Sequence, residues 1–308
     1  MNISRKFERY DSLRENAFVT MDYIHDLKLL VFASASSMSS LVIIISKKEC
    51  FELGDYSVEL PLDTMYITHT WDLEYPIRQI TTSPFSSLEF KIFLVRTTSK
   101  IHLFTLNEKE GLKMIQIFNL TTVSDSNPSI DYSMPLHVEF SPYKPYEYVL
   151  VTTNGYIAIV DGLDGKILYN GIDPFPDNLN YISRWKSCSF GKTSSTILIA
   201  SPECIKEWEF TDTIIQKRTL AAPNDRIISF TAKSSLYCFA TLDAIFVFDY
   251  LIPERPILKW MHPMRLGAPS LLILDELEKD IWRLAAFSHQ TQRLTFIEFK
   301  YTNQPTKR

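Results

Sequence analysis

The chain has 308 residues, 45% of them apolar and 22% charged, and a formal net charge of −4. That is enough apolar chain for one large core or two modest ones, and its longest purely aliphatic run, Leu41–Ile45, is far too short to span a bilayer. The acidic balance argues against a whole-surface nucleic-acid clamp, which needs a clustered excess of Lys and Arg against phosphates, and leaves room for a local basic face.

Met1–Tyr10 is polar and charged, unlike a secretory leader, and residues 1–22 read as an N-terminal arm or short helix. From Tyr23 the pattern is that of strands. Asp26–Ser34 and Leu41–Ser46 pair across a Ser-rich loop, with Cys50–Leu53 as a continuation, and Gly54–Tyr75 reads as a long loop on one rim. Ile77–Ser83, Phe90–Thr97 and Ile101–Leu106 form a three-strand unit. The run LKMIQIFNL supplies its outer strand, and a polar loop through Asp125–Pro128 follows. The clearest unit comprises His137–Ser141, Tyr148–Thr152, Tyr156–Val160 and Lys166–Tyr169. Within it Pro142 and Pro145 bracket a turn, and Asn154-Gly155 is a strong hairpin signal because both residues accept positive φ. Three further units follow. Trp185–Phe190, Ile197–Ala200 and Ile205–Phe210 make the first; Arg226–Thr231, Tyr237–Thr241, Ile245–Phe248 and Ile257–Trp260 make the second; Leu271–Leu274, Trp282–Phe287 and Leu294–Phe299 make the third.

Strand centres at Phe104, Ile159, Trp208, Phe248 and Phe296 recur at a period of roughly 40–55 residues, the mark of radially stacked blades. The expectation is an all-β, divergent WD-repeat-like β-propeller of six or seven blades over residues 23–300, followed by a C-terminal tail, 301–308. Only eight glycines occur, and regular Gly-His and Trp-Asp signatures are missing. Val160-Asp161, Trp208-Glu209 and Phe248-Asp249 stand where the Trp-Asp pair would, so their acids are expected to accept turn hydrogen bonds. Trp71-Asp72 falls in the irregular stretch and reads as chance.

Little in the chain reads as chemistry. The GLDGK run, Gly162–Lys166, lacks a phosphate-loop frame and reads as a hairpin turn. The six histidines (His25, His69, His102, His137, His262, His289) show no ligand spacing, and His102 and His137 read as satisfied strand residues. Cys50, Cys188, Cys204 and Cys238 are far apart. The last three sit in apolar strands as small hydrophobes, which points to a reducing compartment. No G-x-S-x-G is present, and the acids Asp161, Glu209, Asp249 and those of the charged loop Asp275–Asp280 do not read as a catalytic pair. The expectation is therefore no enzymatic activity, no cofactor, no metal and no small-molecule substrate. Basic residues at Lys47-Lys48 and Lys217-Arg218, and the cluster Lys91, Arg96 and Lys100, read as a solvated face, which would track a nucleic-acid backbone only if they converged in space.

The order of irregularities from Met134 to Lys300 carries a resemblance. Phe140-Ser141-Pro142 and the Asn-Gly hairpin precede RWKSCSFG (Arg184–Gly191) and TILIA (Thr196–Ala200). Ile205–Phe210 and Ala244–Asp249 follow, then Pro256–His262 (PILKWMH) and Pro269-Ser270-Leu271. This succession resembles the propeller of the largest subunit of the RNA polymerase I core factor, the counterpart of the metazoan promoter selectivity factor subunit. The resemblance implies a non-catalytic scaffold that contacts core-factor subunits and RNA polymerase I at ribosomal DNA promoters, with indirect DNA contact and a nuclear, nucleolar location. That family continues into a helical region and a basic tail, whereas this chain ends at Arg308, so it reads as a fragment or a shortened relative. The fold alone allows another reading, a propeller adaptor in a ubiquitin-ligase, chromatin or nuclear-pore complex, in the nucleus or the cytoplasm. A propeller hydrolase would require acids or histidines converging on the channel.

Overall fold

A computed structural model describes residues 17–23, 27–34, 37–47, 65–107, 109–119, 134–173, 185–211, 215–221, 223, 225–262, 264, 267–288, 290–291 and 293–302. No helix occurs among them, and the chain divides into two compact units, whose described parts are residues 17–173 and 185–302.

The first unit holds three four-stranded antiparallel sheets, each a simple meander. They are β1 (Phe18–Asp22), β2 (Leu27–Ser34), β3 (Ser40–Lys47) and β4 (Met65–Asp72); β5 (Ile77–Thr82), β6 (Phe90–Thr97), β7 (Lys100–Asn107) and β8 (Gly111–Asn119); and β9 (Pro135–Phe140), β10 (Glu147–Thr152), β11 (Tyr156–Asp161) and β12 (Lys166–Ile172). The second holds β13 (Ser187–Phe190), β14 (Thr196–Ala200), β15 (Ile205–Phe210) and β16 (Ile215–Ala221); β17 (Ser229–Lys233), β18 (Leu236–Ala240), β19 (Ala244–Asp249) and β20 (Leu258–Met261); and a three-stranded sheet of β21 (Leu271–Glu278), β22 (Ile281–Ser288) and β23 (Arg293–Lys300).

Middle strands are buried on both faces and read as near-continuous apolar runs, as in the IFLV centre of FKIFLVRT and in TILIA. Sheets stack face to face inside each unit. Phe93, Val95 and Phe104 of the second sheet pack on Leu29, Val31 and Ile43 of the first, while Ile92, Leu94 and Leu103 on its other face pack on Val138, Tyr148 and Val160 of the third. In the second unit Phe239 and Phe248 pack against Leu198 and Ile205, and Cys238, Ile245 and Val247 against Leu272, Trp282 and Leu284.

The expected recurrence corresponds to real geometry, since Phe104, Ile159, Trp208, Phe248 and Phe296 all lie on the third strand of their sheets. Two of the three acids, Asp161 and Asp249, close their strands and take the turn bonds their position suggested, whereas Glu209 lies inside β15, which ends at Phe210. Asp161 Oδ1 accepts from Leu163 N (3.0 Å) and Asp249 Oδ1 from Leu251 N (2.7 Å). Asp249 also accepts from the Tyr301 hydroxyl at 2.6 Å, which ties the chain after β23 back to β19.

Several elements differ from the reading of the sequence. The arm or helix expected over 1–22 lies mostly outside the described residues, but its end, Phe18–Asp22, is strand β1. The loop expected over Gly54–Tyr75 contains β4, and Trp71-Asp72 closes that strand, where Asp72 Oδ1 accepts from Glu74 N at 3.1 Å. The charged loop Asp275–Asp280 is largely the second half of β21. Cys50–Leu53, the polar loop at Asp125–Pro128 and residues 303–308 of the tail lie outside the described residues. In the Asn154-Gly155 turn only Gly155 takes positive φ (83°), while Asn154 Oδ1 instead accepts from Thr152 Oγ1 at 2.5 Å.

GLDGK is the β11–β12 turn, and its first glycine is sterically required. A Cβ on Gly162 would stand 2.6 Å from the Tyr146 carbonyl oxygen and 3.0 Å from Leu103 of the neighbouring sheet. The Tyr146 backbone is fixed by its own hydrogen bond from Gly162 N at 3.1 Å. Gly162→Ala is therefore expected to cost about 2 kcal/mol, at the middle of the range for overpacking, read as a lower urea midpoint with unchanged m-value.

Candidate interaction surfaces

The third-strand centres differ in exposure: Phe104, Ile159 and Trp208 have no exposed surface and Phe248 has 7%, but Phe296 is 57% exposed. The difference follows from where β23 sits. Its inward residues Ile297 and Phe299, with Tyr301 beyond, pack on the β17–β20 sheet, so the alternate residues point the other way. On that outward face cross-strand registry aligns Leu271, Phe287 and Leu294 in one row and Ile273, Ala285 and Phe296 in the next. Leu294 is 54% exposed and Ile273 43%. The following row is charged. Arg283 donates from Nε (3.0 Å) and Nη2 (2.6 Å) to Glu298 Oε1, and its guanidinium carbon lies 5.8 Å from the Phe296 ring centroid. The face thus joins an apolar half to a charged half, the composition of a protein-binding patch.

Lys91 and Arg96 are not solvated as expected, and with Lys100 they do not converge on one surface. Lys91 and Arg96 are buried and lie on opposite faces of β6. The Lys91 ammonium donates to the Ser87 carbonyl, and burial lowers its pKa, opposed by the charge of Asp22. Arg96 donates from Nη1 to the Pro135 carbonyl (2.5 Å) and from Nε to Gln79 Oε1 (3.2 Å). Lys100 pairs with Glu74 at 3.2 Å and sits 5.3 Å from the Tyr75 ring centroid. Lys217 and Arg218 are exposed on β16, as expected of a solvated pair, and each is also engaged: Lys217 lies 3.7 Å above the Trp208 ring and Arg218 pairs with Glu207. The side chain of Lys47 and all of Lys48 lie outside the described residues.

The histidines have divergent fates. His262 is buried and satisfied, with Nε2 against the Thr241 carbonyl (3.1 Å) and Nδ1 accepting from Met264 N (3.3 Å). His137 Nε2 lies 3.3 Å from Gln79 Nε2. His102 corrects the expectation of a satisfied residue: it is 3% exposed, neither ring nitrogen has a hydrogen-bond partner, and it stacks on Phe104. Desolvation, followed by the Lys100 charge and opposed by Glu74, holds its pKa down at about 4. His25 and His289 lie outside the described residues. Among the described residues no three His, Cys, Asp or Glu side chains gather as a metal site. Cys188 and Cys238 are buried thiols as expected, whereas Cys204 is half-exposed in the turn before β15, with Sγ 3.7 Å from Ser201 Oγ.

No protein-family model and no curated protein matches the sequence. Solved structures do. The S. cerevisiae core factor is similar at a TM-score of 0.62 and 11% identity, over 96% of this chain and 52% of that one, so the chain spans about half the length of this neighbour. The β-propeller domain of Myceliophteria thermophila Cps50 (Swd1) is similar at 0.57 and 10% identity, over 92% and 83% of the two chains. The computationally designed Ika8 protein is similar at 0.53 and 11% identity, over 92% and 71%. At such identities the likeness speaks for architecture alone. With six antiparallel sheets among the described residues, built as consecutive meanders, the chain has the all-β, β-propeller fold.

Proposed function

We propose that this chain is a non-catalytic scaffold subunit of the RNA polymerase I pre-initiation machinery at ribosomal DNA promoters. It acts through protein–protein contacts in the nucleus, in the nucleolus. The observation that carries the scaffold reading is the outward face of β21–β23, where Phe296 is exposed although the third-strand centres Phe104, Ile159, Trp208 and Phe248 are buried, and where Leu294 and Ile273 are exposed beside it. An apolar sheet face joined to an Arg283–Glu298 pair is a surface for another protein. The choice of assembly is supported by the order of motifs from Phe140 to Leu271 and by the likeness to the yeast core factor over 96% of the chain. DNA contact is indirect in this reading, since Lys91 and Arg96 of the second sheet are consumed inside the protein.

Affinity purification of the tagged chain from its own cells is expected to recover RNA polymerase I initiation subunits, and fewer of them from a Leu294→Asp/Phe296→Asp variant. Recovery of a different assembly would favour a propeller adaptor elsewhere, the reading to which the Cps50 likeness lends weight. Recovery of no stable partner would refute both.

A further inference from the structure

A second surface, within the unit of residues 185–302, has a more specific chemistry than the outward sheet face. The outer strands β16 and β20 leave between them a cleft of about 620 Å³, within the range of pockets that bind small molecules or peptide side chains. Its floor is aromatic. Phe239 and Phe246 stack with centroids 5.1 Å apart, and Phe239 and Phe248 with centroids 5.7 Å apart. Leu220 and Met261 form apolar walls, and the Met261 side chain is exposed. Among the described residues the rim carries the acids Asp225, Asp243 and Glu254 and one lining cation, Lys259; Asp225 also accepts from the backbone N–H groups of Arg226 (2.7 Å) and Leu242 (3.1 Å). That lysine faces Phe246 across the β19–β20 pair and holds its ammonium 5.5 Å from the ring centroid.

An aromatic floor attracts cations through the negative face of its rings, and an acidic rim strengthens that attraction. The protein already meets this demand in part with its own Lys259. We propose that the cleft docks a short extended segment of a partner protein that places an Arg or Lys over Phe246, flanked by an apolar side chain against Leu220 and Met261. The partner cation displaces the exposed, flexible Lys259 from the ring and leaves the acids as its counter-charges. The proposal rests on the scaffold reading only in taking the chain to be protein-binding, and it is independent of which assembly the chain serves.

The test uses the purified full chain and two fluorescein-labelled nonapeptides, Gly-Ser-Leu-Arg-Phe-Arg-Leu-Ser-Gly and its counterpart with Glu at both Arg positions. Fluorescence anisotropy at low salt is expected to show binding of the Arg peptide and at least tenfold weaker binding of the Glu peptide, the preference shrinking as salt screens the rim. Asp243→Asn/Glu254→Gln, two surface changes that leave the floor intact, should weaken the Arg peptide about tenfold. Lys259→Ala should strengthen it several-fold by removing the internal competitor, an effect that general loss of structure does not produce. Equal binding of both peptides, no binding of either, or a Lys259→Ala variant that binds more weakly would overturn the proposal. The partner purification judges the scaffold reading separately, since its variant lies on β23 and leaves this cleft untouched.

Discussion

Replacing Gln79 by Ala is expected to destabilise the first unit by about 3 kcal/mol, while Arg96→Met costs clearly less. The two side chains belong to one buried network but play unequal parts. Gln79, on β5, donates from Nε2 to the Val138 carbonyl at 2.8 Å and accepts from Val138 N at 3.1 Å, so its amide stands in for a strand partner between the second and third sheets. Its oxygen also accepts from Arg96 Nε at 3.2 Å. Truncating Gln79 removes these three bonds and the 3.3 Å contact to His137 Nε2, and leaves a backbone N–H, a carbonyl and a buried guanidinium short of partners, each at roughly 1–3 kcal/mol before relaxation. Arg96→Met instead removes the buried charge together with its demand, and keeps an unbranched apolar side chain in the space. Both Gln79 bonds to Val138 survive it. Urea unfolding of the two variants measures the difference; if Arg96→Met proved the more damaging, the guanidinium and not the amide would be the keystone.

This network shows where reading the sequence stops. Phe104, Ile159, Trp208 and Phe248 are legible because each is the apolar centre of a strand buried on both faces, and such runs recur at blade spacing. Outer strands lack that signal. β16 (IQKRTLA) reads as a charged patch because it is the last strand of its sheet, and only in the folded sheet does Lys217 cover Trp208 and Arg218 meet Glu207. β4 is concealed in the same way by its polar lead-in. Arg96 reads as one basic cluster with Lys91 and Lys100 because the three are close along the chain. Strand alternation puts Arg96 and Lys91 on opposite faces, and the acceptors of Arg96, Gln79 and Pro135, come from 17 and 39 residues away. The aromatic cleft is less legible still: Leu220, Phe239, Phe246 and Met261 line it from four strands of two sheets.

The stability of the fold should fall as pH drops from about 6.5 toward 4, and His102 is the group to which this share is assigned. Its imidazole lies on β7 beside Phe104, with no hydrogen-bond partner at either nitrogen. Protonating it in place would put a charge among apolar side chains, so burial, aided by Lys100 and opposed by Glu74, lowers its pKa to about 4. In the unfolded chain the same imidazole titrates near its ordinary value of about 6.5. Above that pH both states are neutral and His102 contributes no pH dependence. Between the two values the unfolded chain takes up a proton that the folded chain refuses, so folding loses up to about 1.4 kcal/mol per pH unit, about 3 kcal/mol across the interval. Carboxylates add their own dependence at the acid end, so the decisive quantity is a difference between proteins. His102→Phe, which can extend the existing aromatic stack, should flatten the profile between pH 6.5 and 4.5 relative to the parent and leave the two profiles parallel above pH 7. If the profiles stayed parallel throughout, or NMR titration placed the folded His102 pKa near 6.5, the buried imidazole would have no part in the acid sensitivity of the fold.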